Sequence, residues 1–135
     1  MTLRLWLVDD TEAHHEVARN TIVRIDGVEF DSFLTGREAL SAFARLARGG
    51  VLPDVVLMDF YLGDERGDHV TRRLRELEPA GVRCVIVGYS SVADASARIV
   101  AAGGDVIVRK QVAQDGTNPT LRAWLEQLMR MRPPA

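Results

Sequence analysis

One lysine stands among 17 cationic side chains; the other 16 are arginine. A chain so committed to arginine keeps a lysine where an ammonium does what a guanidinium cannot. Lys110 closely follows a short apolar run, Val106-Ile107-Val108. Two other apolar runs end in acid: Leu5-Trp6-Leu7-Val8 in Asp9-Asp10, and Val55-Val56-Leu57-Met58 in Asp59. As strands of a parallel α/β sheet, these runs would bring their carboxyl ends to one edge, where ligands bind. Three carboxylates and one ammonium there suit a divalent cation and a phosphoryl group. Carboxylates about 4–5 Å apart repel by roughly 3–4 kcal/mol at an effective dielectric of about 20. A hard cation such as Mg²⁺ relieves that repulsion. A compact ammonium meets a single phosphoryl oxygen better than a wide guanidinium does.

Each residue also has a plainer reading. An acidic pair after a strand can simply cap a helix, with Asp10 or Thr11 as the N-cap. Asp59 alone could equally cap the loop to the third helix, and a lone lysine is usually solvated. Their joint placement at three strand ends favours a site. His14 and His15 suggest a metal, but neighbours on a helix point about 100° apart and cannot share one ion. The helical stripe predicts His14 on the buried side and His15 facing out, neither as a ligand. Trp124 is predicted to pack in the core, with an interface role as the alternative.

The elements needed to hold this edge alternate along the chain. Strands are predicted at Leu3 to Val8, Val28 to Leu34, Val55 to Met58, Cys84 to Val87 and Val106 to Val108. The second alternates apolar and polar residues, as a strand near a sheet edge does. Helices are predicted from Thr11 or Glu12 to Ile25, after Gly36 to Gly49-Gly50, through Val70, Leu74 and Leu77 to Pro79, from Val92 to Ala102, and from Asn118 or Pro119 to a stop at Pro133-Pro134. Five βα units imply an α/β fold, a doubly wound five-stranded parallel sheet with helices on both faces and right-handed crossovers.

The gross composition excludes several classes. The chain has 135 residues, the size of one domain. Net charge is −2 and the pI about 5.9, so nothing asks for nucleic acid. The cluster Arg72-Arg73-Arg75 reads as a solvated helix face rather than a phosphate patch. The single cysteine, Cys84, reads as a small core hydrophobe in a reducing compartment. No apolar run is long enough to span a membrane and no signal peptide is evident, which predicts a cytoplasmic protein.

The whole pattern resembles a response-regulator receiver domain, the phospho-accepting half of two-component signalling. Leu7-Val8-Asp9-Asp10 resembles the family's acidic pair. Pro53-Asp54-Val55-Val56-Leu57-Met58-Asp59 resembles its phospho-acceptor strand. Gly67, Gly36-Arg37-Glu38-Ala39-Leu40, and Ala101-Ala102-Gly103-Gly104-Asp105 with Lys110 fit further motifs in order. The resemblance implies the flavodoxin-like receiver fold with strand order 2-1-3-4-5, over residues 1–132 as one domain with no output domain. It implies Asp59 as phospho-acceptor and Lys110 as phosphoryl contact. It implies Mg²⁺ held by Asp10 directly, by Asp9 through water, by Asp59 and by the backbone carbonyl of Tyr61.

Four positions depart from the family pattern. Gly63 and Gln111 stand where proline is usual. Counting back from Lys110 puts Gly88 where a Thr or Ser hydroxyl is expected and Ile107 where an aromatic switch residue is usual. A shifted register would bring Ser90 into the hydroxyl role, although the four apolar residues before Gly88 favour the first alignment. Together the residues predict a stand-alone receiver, phosphorylated by a histidine kinase or His-containing phosphotransfer protein. It would be a monomer or a weak homodimer through the face of the fourth helix, fifth strand and last helix. It would act on an unknown downstream protein, with no nucleic acid or membrane partner and no catalysis beyond its own phosphorylation and dephosphorylation. A phosphorylation-independent pseudo-receiver, serving as an interaction module, is the alternative. An aspartate-nucleophile phosphatase fits poorly, because Tyr61 stands where its second aspartate would be.

Overall fold

A computed structural model describes residues 2–132. Its strands are β1 (Leu3–Val8), β2 (Val28–Phe33), β3 (Val55–Met58), β4 (Val85–Ser90) and β5 (Val106–Arg109). They alternate with α1 (Glu12–Ile22), α2 (Gly36–Arg48), α3 (Gly67–Leu77), α4 (Ala93–Ala101) and α5 (Pro119–Met131). The sheet is parallel throughout, in the order β2-β1-β3-β4-β5. This is the flavodoxin-like receiver fold predicted above, with β2 at one edge.

The period of two along each strand divides the core. Trp6, Val8, Val56, Met58 and Ile86 face α2, α3 and α4, where Phe43, Leu74 and Ile99 complete one apolar layer. Leu5, Leu7, Val55, Leu57, Val87 and Tyr89 face α1 and α5, where Ala18, Leu121 and Leu125 complete the other. A strand covered on both sides needs apolar residues at nearly every position, which is why β3 reads as an unbroken run and β1 is interrupted only by the exposed Arg4. Trp124 packs half-buried against the second layer. Cys84 is buried, and that burial pushes its thiol up to about 12, so it behaves as the expected small hydrophobe.

Several details differ from the sequence reading. Helix α1 stops at Ile22 rather than Ile25. The Val23 N–H donates to the Arg19 carbonyl and the Arg24 N–H to the Thr21 carbonyl, and Gly27 takes a positive φ of 82°. Ile25 still meets the core, but from the turn. Strand β4 runs on to Ser90, because Gly88, Tyr89 and Ser90 continue the ladder opposite Ile107, Val108 and Arg109. The apolar run ends earlier than the hydrogen bonding does. Asn118 is the N-cap of α5, accepting from the Thr120 and Leu121 N–H groups at 3.0 and 3.1 Å, with Pro119 in the first turn. The expected stop at Pro133-Pro134 lies outside the described residues. Among the described residues no helix is long and apolar enough to cross a membrane.

Arg75 is not part of a solvated face. Its side chain is 13% exposed and joins three segments. It donates to the Gly103 carbonyl at 2.9 Å, the Cys84 carbonyl at 2.7 Å, Glu78 at 2.8 Å and Asp105 at 2.7 Å. Arg83 and the Ile86 N–H close on the same Asp105 carboxylate at 2.8 and 2.9 Å. Arg72 and Arg73 are exposed, as expected.

Candidate functional site

Register places the acids. Val8 pairs with Met58, so the next residues, Asp9 and Asp59, leave adjacent strands at the same level. Asp10 follows on the exposed rim. Asp9, Asp10 and Asp59 each bring a carboxylate oxygen to within 4.8 Å of the others. Oxygens that close suit one hard cation, so the residues present fit a divalent ion.

Lys110 follows β5 and reaches back across two strands. Its Nζ lies 2.6 Å from Asp9 Oδ2 and 3.2 Å from Asp59 Oδ1. Its side chain is only 10% exposed, because it crosses the Tyr89 ring with the ammonium 5.6 Å from the ring centroid. The four chemistry-bearing residues singled out in the sequence therefore meet. Lys110 itself is far more enclosed than a lysine near the surface.

Asp59 is almost buried, and its Oδ1 also accepts from the Phe60 N–H at 2.9 Å. Burial raises its carboxyl above the ordinary value. The Lys110 charge pulls it down, the Asp9 charge pushes it up, and the net shift is upward. Close packing under Asp59 comes from Gly67. A Cβ there would stand 2.0 Å from the Asp59 carbonyl oxygen, so α3 can begin against the acceptor strand only with glycine. Tyr61 lies exposed in the loop between Asp59 and α3, bridged to Arg66. At Gly63 a Cβ would find only Asp10 Oδ2, at 3.8 Å, so that position tolerates a side chain.

The acidic pair does not cap α1. Thr11 occupies the N-cap position without a side-chain cap bond. Asp9 instead accepts from the Thr11 N–H at 3.0 Å.

Sequence reasoning had the histidines the wrong way round. His15 is the buried one, and its Nε2 lies 2.6 Å from the Asp9 carbonyl oxygen. His14 is half-buried at the site, with Nδ1 3.0 Å from both carboxylate oxygens of Asp9. The two rings diverge as adjacent helix residues must, yet both hold Asp9, one by its side chain and one by its backbone. The available signal was position: the first turn of a helix that starts directly after the acidic pair.

The switch positions lie on β4 and β5 beside this cluster, and the Ser90 carbonyl accepts from the Lys110 N–H at 3.2 Å. Gly88 sits on β4 abreast of Met58 and Ile107, against the backbone of α4. Ser90 ends β4, and its Oγ accepts from the Val92 N–H at 3.1 Å. Ile107 is 51% exposed on β5. Tyr89 points to the other side of the sheet. Its hydroxyl lies 2.9 Å from Asn118 Nδ2. Burial pushes its phenol up to about 12, so it stays a neutral hydrogen-bonding group.

Comparison with known proteins gives one family. The model of the response regulator receiver domain matches residues 5–121. Among solved structures, the receiver domain of the histidine kinase CKI1 from Arabidopsis thaliana superposes with a TM-score of 0.75. It is 22% identical, and the match covers 96% of this chain and 91% of that one. A LuxR-family two-component response regulator from an Aurantimonas species gives 0.74 at 24% identity, covering 98% and 88%. A putative response regulator from Chloroflexus aurantiacus gives 0.73 at 21% identity, covering 98% and 100%. At these identities the structural likeness speaks for the fold. No curated protein matches the sequence significantly.

Proposed function

The chain belongs to the response-regulator receiver domain family, and we propose on that premise that Asp59 accepts a phosphoryl group from a histidine kinase or His-containing phosphotransfer protein. The observation that carries this reading is the convergence of Asp9, Asp10, Asp59 and Lys110 on one sheet edge. Asp10, Asp59 and the Tyr61 backbone carbonyl would hold Mg²⁺, with Asp9 acting through water. When bound, the ion supplies charge neutralisation for the phosphoryl oxygens.

The chain's own groups do the rest. A carboxylate oxygen of Asp59 forms the new bond to phosphorus. The bond from phosphorus to the donor's imidazole nitrogen, or to the acetate oxygen of acetyl phosphate, breaks with its electron pair leaving on the donor. Lys110 moves little to meet a phosphoryl oxygen, since it already lies 3.2 Å from Asp59. The enclosed position of Asp59 limits water around the acyl phosphate. The output is a changed protein-binding surface or onward transfer of the phosphoryl group. The exposed Val106 and Ile107 suit the first of these, and also a weak homodimer through that face. With such partners the protein would act in the cytoplasm. It turns over no substrate beyond its own phosphorylation and dephosphorylation.

Gly88 and Ile107 favour one second reading, a receiver-like interaction module indifferent to phosphorylation. Intact-mass measurement after incubation with Mg²⁺ and acetyl phosphate separates the two. A Mg²⁺-dependent phosphoryl adduct supports the first reading, and its absence the second.

A further inference from the structure

We propose that His14 is a positioning residue for phosphoryl transfer, holding the Asp9 carboxylate so that Lys110 is free to serve the phosphoryl group. The inference rests on the phospho-acceptor reading above and assigns a role to a side chain outside the carboxylate trio.

Asp9 is fully buried, so its carboxylate depends on protein donors. Three converge on it. Lys110 Nζ lies 2.6 Å from Oδ2, the Thr11 N–H 3.0 Å from Oδ1, and His14 Nδ1 3.0 Å from each oxygen. A carboxylate offers only acceptors, so these contacts put the imidazole proton on Nδ1. The 3.2 Å between Lys110 Nζ and His14 Nδ1 is then the spacing of two donors aimed at one acceptor.

These donors differ in how committed they are. The Thr11 N–H is fixed by the backbone, and among the described residues the polar contacts of the His14 ring go to Asp9 and its companion Lys110. Lys110 carries one positive charge, already divided between Asp9 and Asp59. A phosphoryl group on Asp59 brings more negative charge within reach of the same ammonium. The less Asp9 depends on Lys110, the more of that charge serves the transferring group, where it stabilises the transition state. Without the His14 N–H, Asp9 holds the ammonium more tightly, and the loss falls on the chemical step rather than on donor binding. His15 fixes the Asp9 backbone but does not touch its carboxylate, so it cannot substitute.

The test compares wild type, His14→Leu and His14→Asn, labelled with acetyl phosphate and Mg²⁺ at varied acetyl phosphate. Thermal unfolding of each variant confirms the fold. The asparagine amide can place an N–H close to where Nδ1 donates, and leucine removes it. His14→Leu is expected to lower the maximal labelling rate about tenfold with the half-saturating acetyl phosphate concentration little changed. His14→Asn is expected to recover most of that rate. Leucine labelling at the wild-type rate would overturn the proposal while leaving Asp59 as acceptor. An asparagine variant as slow as leucine would overturn it too, by showing that the ring and not its N–H matters. A wild type that takes no label removes the phospho-acceptor reading and this inference together.

Discussion

Gly88 lies so close to α4 that a Cβ on it would stand 2.7 Å from the Ser96 carbonyl oxygen and 3.1 Å from Ser96 Cα. Both atoms are backbone, so neither can swing aside as a side-chain tip would. The glycine is thus coupled to the seating of the fourth helix. A hydroxyl-bearing residue cannot enter at 88 unless α4 moves outward. On the alignment that puts the family's reporting hydroxyl at 88 rather than at Ser90, that position is here a contact between strand and helix backbones.

Gly88→Thr is therefore expected to destabilise rather than restore a switch. Overpacking typically costs about 1–3 kcal/mol, and a backbone obstacle puts this site at the upper end. Urea unfolding of the variant measures it. A variant as stable as wild type would show that α4 yields easily.

A beryllofluoride-type phosphoryl mimic is expected to alter amide exchange in the loops after Asp59 and after Ser90. Little change is expected at Val106–Val108 or along α5. Gly88 has no side chain to move, and Ile107 has no ring to turn inward. A ligand shifts an equilibrium only through contacts that differ between its states. Strong protection at β5 and α5 would show another route, for which the Tyr89–Asn118 hydrogen bond is the available link.

Asp59→Asn is expected to abolish labelling by acetyl phosphate. The acyl phosphate on the wild type should be base-labile and should require Mg²⁺. Mass spectrometry of both proteins, with and without chelator, checks each point, and wild-type labelling of the Asn variant would move the acceptor elsewhere.

Lys110→Arg is expected to slow labelling and also to cost stability. The slot beside Tyr89 leaves the side chain only 10% exposed, so a wider head group must displace neighbours. The expected loss is about 1–3 kcal/mol. Unfolding curves and labelling rates of the variant, measured together, test both.

Arg75→Met is expected to cost about 2–3 kcal/mol, somewhat below the roughly 3–5 kcal/mol of a fully buried pair. The same network gives a pH signature. Burial alone would raise Asp105, but bonds from Arg83, the Ile86 N–H and Arg75 outweigh it and hold the carboxyl below its ordinary value. A depressed folded value means stability that is complete above the unfolded carboxylate range and is lost as pH falls through the folded one. Asp105→Asn should accordingly narrow the gap to wild type in acid, and denaturation across a pH series reads that convergence.

What the sequence determined is whatever depends on local order. Five alternating units, their parallel arrangement and the acid at the end of β1 and β3 follow from residues adjacent in the chain. The lone lysine past β5 was legible for the same reason, because a strand end is marked by its own run. Tertiary structure alone decided what depends on segments meeting. A stripe along α1 leaves its phase open near the N-terminus, so His14 and His15 were exchanged until β1 and β5 closed around them. Strand β4 outlasted its apolar run because its length is set by partners on β3 and β5. Arg75 looked solvated because Gly103, Asp105 and Cys84 reach it only in the folded chain. The reason is the same in each case: periodicity records which face is apolar, whereas a polar contact depends on atoms brought together from distant positions.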